Sequence, residues 1–140
     1  MWYNKIMLGI LRSPIHSMIS NGIMILGFKG AKSGKTFSTP VNYMEIDSKI
    51  YVMSDRTRIW WKNIKTNPEV EMYIKLESIK GSGVVYDTRD EVEDNLTLIF
   101  KHKPQMAKYL KVAIVDGEPV LEDIKKLSDK NIVISITPTA

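Results

Sequence analysis

The chain has 140 residues, 44% apolar and 26% charged, which predicts one globular domain over residues 1–140. It has no cysteine, which excludes disulfides, thiolate nucleophiles and cysteine-ligated metal centres. The net charge is +4, and residues 1–80 carry 12 Lys and Arg against 6 Asp and Glu, so the first half attracts anions. Nucleic acid, an anionic membrane surface or a phosphorylated small molecule would each suit that charge.

Neither a membrane span nor a signal peptide is predicted. Apolar runs such as residues 23–26 are far shorter than the roughly 20 residues of a spanning helix. The N-terminal stretch 1–12 is broken by Asn4 and Lys5 and lacks a small-residue cleavage site. We therefore expect a cytoplasmic protein.

Turn signals recur at short intervals through the first 90 residues, which is typical of a compact, mostly-β domain. Residues 2–11 are predicted to form a short amphipathic helix, because apolar side chains recur there at i, i+4 spacing. A first group of strands is predicted over residues 22–28, 36–46 and 50–53, joined by turns at 29–35 and 47–48.

A short helix over residues 59–65 is predicted next, stopped by Asn67 and Pro68. The second pair of strands is predicted over 70–74 and 79–86, with Gly81 and Gly83 as positions where another backbone or a ligand can come close.

From residue 88 the period of the apolar residues changes to that of a helix. Asp87 or Thr88 can cap a helix that ends at Pro104, and the acidic residues of its first turn complement the helix dipole rather than form an acid–base pair. Further helical turns are predicted over 104–111 and 121–127, and a final strand over 131–137. The pattern indicates an α+β, mostly-β barrel of about six antiparallel strands with peripheral helices.

The strongest local signal is residues 29–41, KGAKSGKTFSTPV. Three lysines, several hydroxyls and glycine-exposed amides can together surround a phosphate. The alternative is a solvated basic turn. The segment is not a P-loop, because the spacing before GK[ST] differs and a strand follows it.

Two motifs in this chain carry a family resemblance. Residues 30–43, GAKSGKTFSTPVNY, are followed by a strand that reaches Ser54 and then by residues 60–70, WWKNIKTNPEV. Their order resembles the deazaflavin-dependent nitroreductase and quinone reductase family, whose pattern is G-x-K-S-G-x-x-R-x-x-P followed by W-x-x-N-L-x-x-N-P. That family belongs to the FMN-binding split-barrel group that includes the pyridoxamine 5'-phosphate oxidase-like enzymes. The match covers residues 22 to about 86.

The resemblance implies a Greek-key split β-barrel that binds a deazaflavin coenzyme of the 8-hydroxy-5-deazaflavin type, or FMN. It also implies hydride transfer to a small organic acceptor such as a quinone or a nitro compound, with the cofactor performing the chemistry.

The resemblance also implies which residues contact the cofactor. The implied phosphate ligands are Lys32, Ser33, Gly34, Lys35 and Thr39. Pro40, Val41 and Asn42 would lie along the ring, and the far side of the cleft would be lined by Met53, Ser54, Trp60, Trp61 and Asn63. Tyr43, Tyr51 and Ser54 are candidates for hydrogen bonds to the ring or substrate, with Tyr43 and Ser54 the catalytic candidates.

Two segments depart from the family pattern. The arginine of the hairpin is replaced by Phe37 or Ser38. Before Trp60 stands DRTR, residues 55–58, which resembles the phosphate contact of the FMN-binding relatives and makes Arg56 and Arg58 candidate cofactor ligands. Deazaflavin and FMN are therefore both candidates for the ring system that the protein binds.

Adjacent residues on a helix point about 100° apart, so Trp60 and Trp61 cannot share one environment. We expect Trp61 in the core and Trp60 facing the cofactor, where the family pattern has its tryptophan. Nucleic-acid binding by the arginines beside these rings is an alternative, although no oligonucleotide-binding motif accompanies them.

Partners and metals follow from the remaining features. His16 and His102 have no acidic or histidine partner at metal spacing, so no metal site is predicted. We expect a small-molecule electron acceptor and no nucleic acid, with contact to a membrane surface left open. Because exposed edge strands need covering, we also expect a homodimer. The alternatives are an FMN-binding protein without catalysis and a basic module that binds nucleic acid or an anionic surface.

Overall fold

A computed structural model describes residues 22–74 and 76–139; the helix predicted over 2–11 lies outside the described residues. The strands are β1 Ile23–Lys29, β2 Thr36–Asn42, β3 Met44–Ile46, β4 Lys49–Asp55, β5 Glu69–Ile74, β6 Glu77–Tyr86, β7 Ile114–Val115, β8 Glu118–Pro119 and β9 Asn131–Pro138. The helices are α1 Lys62–Thr66, α2 Arg89–His102, α3 Pro104–Tyr109 and α4 Leu121–Lys130.

One antiparallel sheet of seven strands has the order β2-β1-β5-β6-β9-β4-β3. It curls so that β2 approaches β4 across its open side, which confirms the predicted mostly-β split barrel with peripheral helices. The strand count differs from about six because the predicted strand 36–46 breaks at Tyr43. The amide of Tyr43 donates to the carbonyl of Gly22 at 2.9 Å, which continues the β1–β2 register by one residue, and from Met44 onward the chain pairs with β4 instead, as β3.

Two hairpin turns use residues with positive φ. Asp47 and Ser48 have φ of 51° and 67°, which a two-residue turn between β3 and β4 requires, and the turn predicted there is confirmed. Asp116 and Gly117 close the small β7–β8 hairpin in the same way. This hairpin was not predicted, because two-residue strands are too short for a repeating apolar pattern.

The sheet is buried on both faces around β4 and β9. One face forms the barrel core, whose members include Met24, Leu26, Val52 and Ile134. The other face packs against α2, α3 and α4 and forms the helix core, in which Tyr51 and Val133 meet Leu96 and Phe100. Successive strand residues point to opposite faces, so a strand covered on both sides needs apolar residues in nearly every position.

The acidic run after residue 86 begins α2, as predicted. The hydroxyl of Thr88 accepts a hydrogen bond from the Glu91 amide at 3.3 Å and donates to the Glu91 carboxylate at 2.7 Å. This reciprocal cap satisfies an otherwise unpaired amide at the start of the helix. Asp90 and Glu91 lie in the first turn, where negative charge is favourable.

Gly81 and Gly83 are surrounded by apolar side chains. A Cβ at Gly81 would lie 2.6 Å from Cγ2 of Ile136, and one at Gly83 would lie 3.0 Å from Cγ2 of Ile64. The close approach predicted at these glycines is therefore made by the barrel core, while Gly81 also lines a surface cavity described below, so a ligand there stays a prediction. In the described part of the chain, no helix is both long and apolar enough to cross a membrane.

Candidate functional site

The loop between β1 and β2 is a closed basic turn. The Gly30 amide donates to the Lys35 carbonyl at 2.8 Å, and the Gly34 amide donates to the Gly30 carbonyl at 3.0 Å. Gly34 has a φ of +68°, which a residue without a Cβ adopts at little cost. The Ser33 hydroxyl accepts from the Lys35 amide at 3.2 Å, so the loop is held by its own groups while the side chains of Lys32 and Lys35 stay exposed.

The basic hairpin, residues 29–43, carries three positive charges and no carboxylate. Within residues 22–74 and 76–139, Lys29, Lys32 and Lys35 form no ion pair. Unpaired lysines on one turn create a local positive potential that favours a phosphate.

Asn63 joins this hairpin to α1. Its Oδ1 accepts from the Ala31 amide at 3.0 Å, and its Nδ2 donates to the Trp60 carbonyl at 3.0 Å. Both ends of the side-chain amide are thus used within the protein. Asn63 places the hairpin beside the tryptophan segment, as the resemblance requires, but by holding the two together rather than through a free polar group.

Contacting aromatic rings connect the hairpin with the tryptophan segment. The ring of Phe28 lies 6.1 Å from that of Phe37 and 5.7 Å from that of Trp60, between ring centroids. Trp61 is 4% exposed in the barrel core, whereas Trp60 is only partly buried at its margin. The predicted division between a core ring and an outer ring is confirmed. That Trp60 faces a cofactor stays a prediction.

The residues of β2 alternate between the two faces of the sheet. Thr39 and Val41 stand opposite Leu26 and Met24 and share the barrel-core face. Pro40 and Asn42 stand opposite Ile25 and Ile23 and so lie on the other face. The side chains of Pro40, Val41 and Asn42 therefore cannot all lie along one ring. Thr39 and Val41 are on the face that also carries Trp60.

Tyr43 and Ser54 border the same core. Tyr43 packs against the barrel core, and its pKa is raised first by burial and then by the charge of Glu45. Its phenol therefore keeps its proton at neutral pH and can donate a hydrogen bond. Ser54 lies on the face of β4 that carries Ile50 and Val52, and its hydroxyl donates to the Asp55 carbonyl at 3.3 Å. Tyr51 and Met53 alternate with these residues and belong to the helix core, away from Trp60.

Arg56 does not lie free for a phosphate. Its guanidinium donates to the carbonyls of Ser128 at 2.7 Å and Asn131 at 3.1 Å, and also to the carbonyl of Asp87. The segment resembling an FMN phosphate contact thus uses Arg56 to tie the end of β4 to the end of α4 and the β6–α2 turn. The predicted cofactor contact at Arg56 does not fit this geometry, because the guanidinium is committed to backbone carbonyls.

The rest of that segment forms a turn. The Asp55 carboxylate accepts from the Thr57 hydroxyl at 2.7 Å and the Thr57 amide at 2.8 Å, and these two hydrogen bonds lower the pKa of Asp55. Arg58 is exposed and, within the described residues, has no ion-pair partner. Of the two arginines, Arg58 alone is available to an anion.

Replacing Arg56 with glutamine should lower the free energy of unfolding by at least about 2 kcal/mol, because one hydrogen bond from a charged donor contributes about 1.5 to 3 kcal/mol and glutamine cannot span three carbonyls. Urea denaturation measures the effect. Arg58→Gln is the matched control, and we expect no change in it because the side chain is exposed. Equal stability of the two variants would contradict the assignment.

A cavity of about 630 Å³ adjoins the base of the hairpin and was not predicted from the sequence. Lys29 and Lys80 contribute positive charge to its lining, and Glu69 and Glu71 contribute negative charge. Its volume is that of a small-molecule site. Most of its residues come from β1, β5 and β6, and only the pairing of these strands in the sheet brings them together.

Comparisons with known proteins bear on this site. A family model described as F420H(2)-dependent quinone reductase matches residues 14–113. No curated protein matches the chain.

Solved structures share the fold at low identity. A pyridoxamine 5'-phosphate oxidase-related, FMN binding protein from Nostoc punctiforme is 10% identical with a TM-score of 0.57, over 98% of this chain and 80% of that one. General stress protein 26 from Bacillus anthracis is 18% identical with a TM-score of 0.51, over 92% and 89% of the two chains. An F420 reductase is 14% identical with a TM-score of 0.50, over 91% and 95%. These similarities extend over nearly the whole described fold and identify it as the split barrel.

Proposed function

We propose that this chain, which belongs to the F420H(2)-dependent quinone reductase family, holds the phosphate of F420 on the basic hairpin and the ring against Trp60. F420 is the cofactor named by the family, and reduction of quinone-type acceptors is the family's reaction. The observation that carries the proposal is the hairpin itself: Lys32 and Lys35, which are exposed and have no ion pair among the described residues, stand on a turn that Asn63 bonds to the tryptophan segment.

Of the two candidate anion sites, the hairpin and the cavity at its base, the charges favour the hairpin as the phosphate site. The cavity at its base is lined by two lysines and two glutamates, whose charges cancel. The hairpin carries lysines without any carboxylate. The amides of Gly30, Ala31, Gly34 and Lys35 all donate within the protein, so the hairpin offers an anion chiefly its lysine side chains. A phosphate is favoured where such cations converge, so the residues present fit the anionic part of the cofactor at the hairpin.

The residues around the proposed ring site have separable roles. Bound F420 in its reduced form supplies the hydride. Trp60, partly buried on Phe28, offers a flat apolar wall, and Thr39 and Val41 share the barrel-core face of the adjoining strand. The protonated Tyr43 phenol can donate a hydrogen bond at this margin, and Arg58 can supply a second cation. Together they would orient the ring and keep water away from it.

Three finer points belong to the same proposal. The acceptor is a small quinone or nitro compound, which fits a site bordered by aromatic rings. The protein is cytoplasmic. It forms a homodimer, because β2 is an edge strand of the sheet that the described residues form, and a second copy would cover its outer edge.

Isothermal titration with F420 and with FMN tests the ring assignment, and oxidation of reduced F420 by a water-soluble quinone tests the reaction. We expect F420 to bind at least as tightly as FMN and reduced F420 to be consumed only when quinone is present. FMN binding tenfold tighter than F420 would reverse the cofactor assignment. Tight F420 binding without turnover would instead indicate a protein that binds the cofactor without catalysis.

A further inference from the structure

We propose that Phe37 and Trp60 together support the ring system of the cofactor, which makes Phe37 a further binding residue at the place where the family pattern has an arginine. The inference rests on the proposed function, because it concerns the same cofactor. It adds that this chain draws more of its affinity from the ring of the cofactor and less from the phosphate.

The strand register decides which residue of β2 replaces the arginine. Counted from the start of the hairpin motif, Phe37 stands where the pattern has that arginine. Phe37 lies opposite Phe28 in the β1–β2 pairing and therefore shares the barrel-core face with Trp60. Ser38 lies opposite Gly27 and is on the other face of the sheet. Phe37 is thus the residue that this chain presents to the site in place of a cation.

The rings of Phe37 and Trp60 are both partly open to solvent and are joined by a buried third ring. Phe37 is 46% exposed, while Phe28 is 5% exposed. The centroid of the Phe28 ring lies 6.1 Å from that of Phe37 and 5.7 Å from that of Trp60. Both separations are those of ordinary aromatic contacts. The three rings therefore form one connected aromatic surface whose two ends are accessible.

The backbone of the hairpin fixes the ring of Phe37. A Cβ at Gly30 would lie 2.8 Å from Cε2 of Phe37, so the ring lies directly against the backbone of Gly30. The Gly30 amide and carbonyl are bonded within the loop, to Lys35 and Gly34 respectively. The ring is therefore held between Phe28 and a closed loop. A side chain that is fixed before binding loses less conformational freedom when the cofactor binds.

Phe37 lies between the two ends of the proposed cofactor site. It follows Lys32 and Lys35, which are proposed for the phosphate, and it contacts the Gly30 backbone of the same loop. On its other side Phe28 leads to Trp60, which is proposed for the ring. A cofactor that reaches from the lysines to Trp60 passes over Phe37. A phenyl ring stacks on a planar ring system and buries its apolar surface, whereas it offers a phosphate no charge.

The test is calorimetric titration with F420 and with the riboside of F420, which carries the same ring without the phosphate. We expect both ligands to bind the unaltered protein. Phe37→Ala should raise both dissociation constants about tenfold, because it removes an aromatic contact to the ring that the two ligands share. Lys32→Ala should raise the constant for F420 only. Phe37→Leu keeps an apolar side chain on Phe28 and should give a smaller loss for both ligands, so the test does not depend on the folding of Phe37→Ala.

Phe37→Arg installs the residue of the family pattern and separates the two sources of affinity. It should bind the riboside as weakly as Phe37→Ala does, because the phenyl ring is gone. F420 should regain much of the lost affinity, because the new cation can meet the phosphate. The ratio of the riboside dissociation constant to the F420 dissociation constant should therefore rise about tenfold relative to the unaltered protein.

Tyr109→Ala is the matched control, because Tyr109 is 78% exposed and, among the described residues, contacts no other ring. It should bind both ligands as the unaltered protein does. The inference is overturned if Phe37→Ala binds both ligands normally, if it loses affinity for F420 alone, if Tyr109→Ala loses as much, or if the riboside does not bind the unaltered protein.

The two ligands also separate this inference from the proposed function. F420 binding that depends on Lys32 but not on Phe37 would leave the proposed phosphate site supported and the ring contact wrong. Binding of both ligands that depends on Phe37 but not on Lys32 would support the ring contact and remove the phosphate from the hairpin. Failure of the unaltered protein to bind F420 at all would overturn both.

Discussion

The double variant Lys32→Ala/Lys35→Ala is expected to bind F420 roughly a hundredfold more weakly than the unaltered protein. A hydrogen bond to a charged group contributes about 1.5 to 3 kcal/mol, and each 1.4 kcal/mol corresponds to a tenfold change in dissociation constant. Each single variant should therefore lose about tenfold or more. The melting temperature should not change, because both side chains are exposed and, in the described part of the chain, form no ion pair.

Calorimetric titration of all three variants measures this effect, with Lys126→Ala, an exposed lysine of α4, as the control for a general loss of positive charge. Unchanged dissociation constants for both single variants would remove the hairpin from the cofactor site. An equal loss in Lys126→Ala would show that net charge, not position, governs the binding.

The second large effect is expected at the two tryptophans. Trp61→Ala should destabilise the fold by about 3 to 5 kcal/mol, because it empties a large buried site in the barrel core. Trp60 is only partly buried, so Trp60→Ala should cost less stability and mainly weaken F420 binding and turnover. The Phe28 ring contact that Trp60→Ala removes contributes a smaller part of the stability.

Thermal melting and quenching of tryptophan fluorescence by F420 distinguish the two variants. We expect Trp61→Ala to melt far lower and Trp60→Ala to lose most of the quenching. If both variants melt normally and both are still quenched, the tryptophan segment is a surface element and the site lies elsewhere. Trp60→Phe is the conservative variant, and we expect it to restore part of the affinity lost in Trp60→Ala.

Local sequence patterns were sufficient to predict most of the helices and strands. The period-two alternation predicted β4 and β9, β5 and β6 were predicted as a second pair of strands, and the capping residue and acidic first turn predicted α2. The prediction of one continuous strand over residues 36–46 was wrong, since its pattern contains no sign that the partner strand changes from β1 to β4 after Tyr43. The short β7–β8 hairpin was missed because each strand has only two residues.

Part of the candidate site could likewise be predicted from local sequence. Sequence alone indicated the basic hairpin, the tryptophan pair and the order of the two motifs, because these features depend on neighbouring residues. It also predicted correctly that the two adjacent rings lie in different environments, and the family resemblance implied that Trp61 is the core ring.

Only the tertiary structure decided which of these residues can act together. Arg56 and Arg58 stand two positions apart and look equivalent in sequence, yet Arg56 is committed to carbonyls from residues 87, 128 and 131, far along the chain. Asn63 likewise proved to bond the hairpin to the tryptophan segment. Hydrogen-bond partners of long side chains depend on which distant strands and helices meet, and no periodicity or spacing within one segment contains that information.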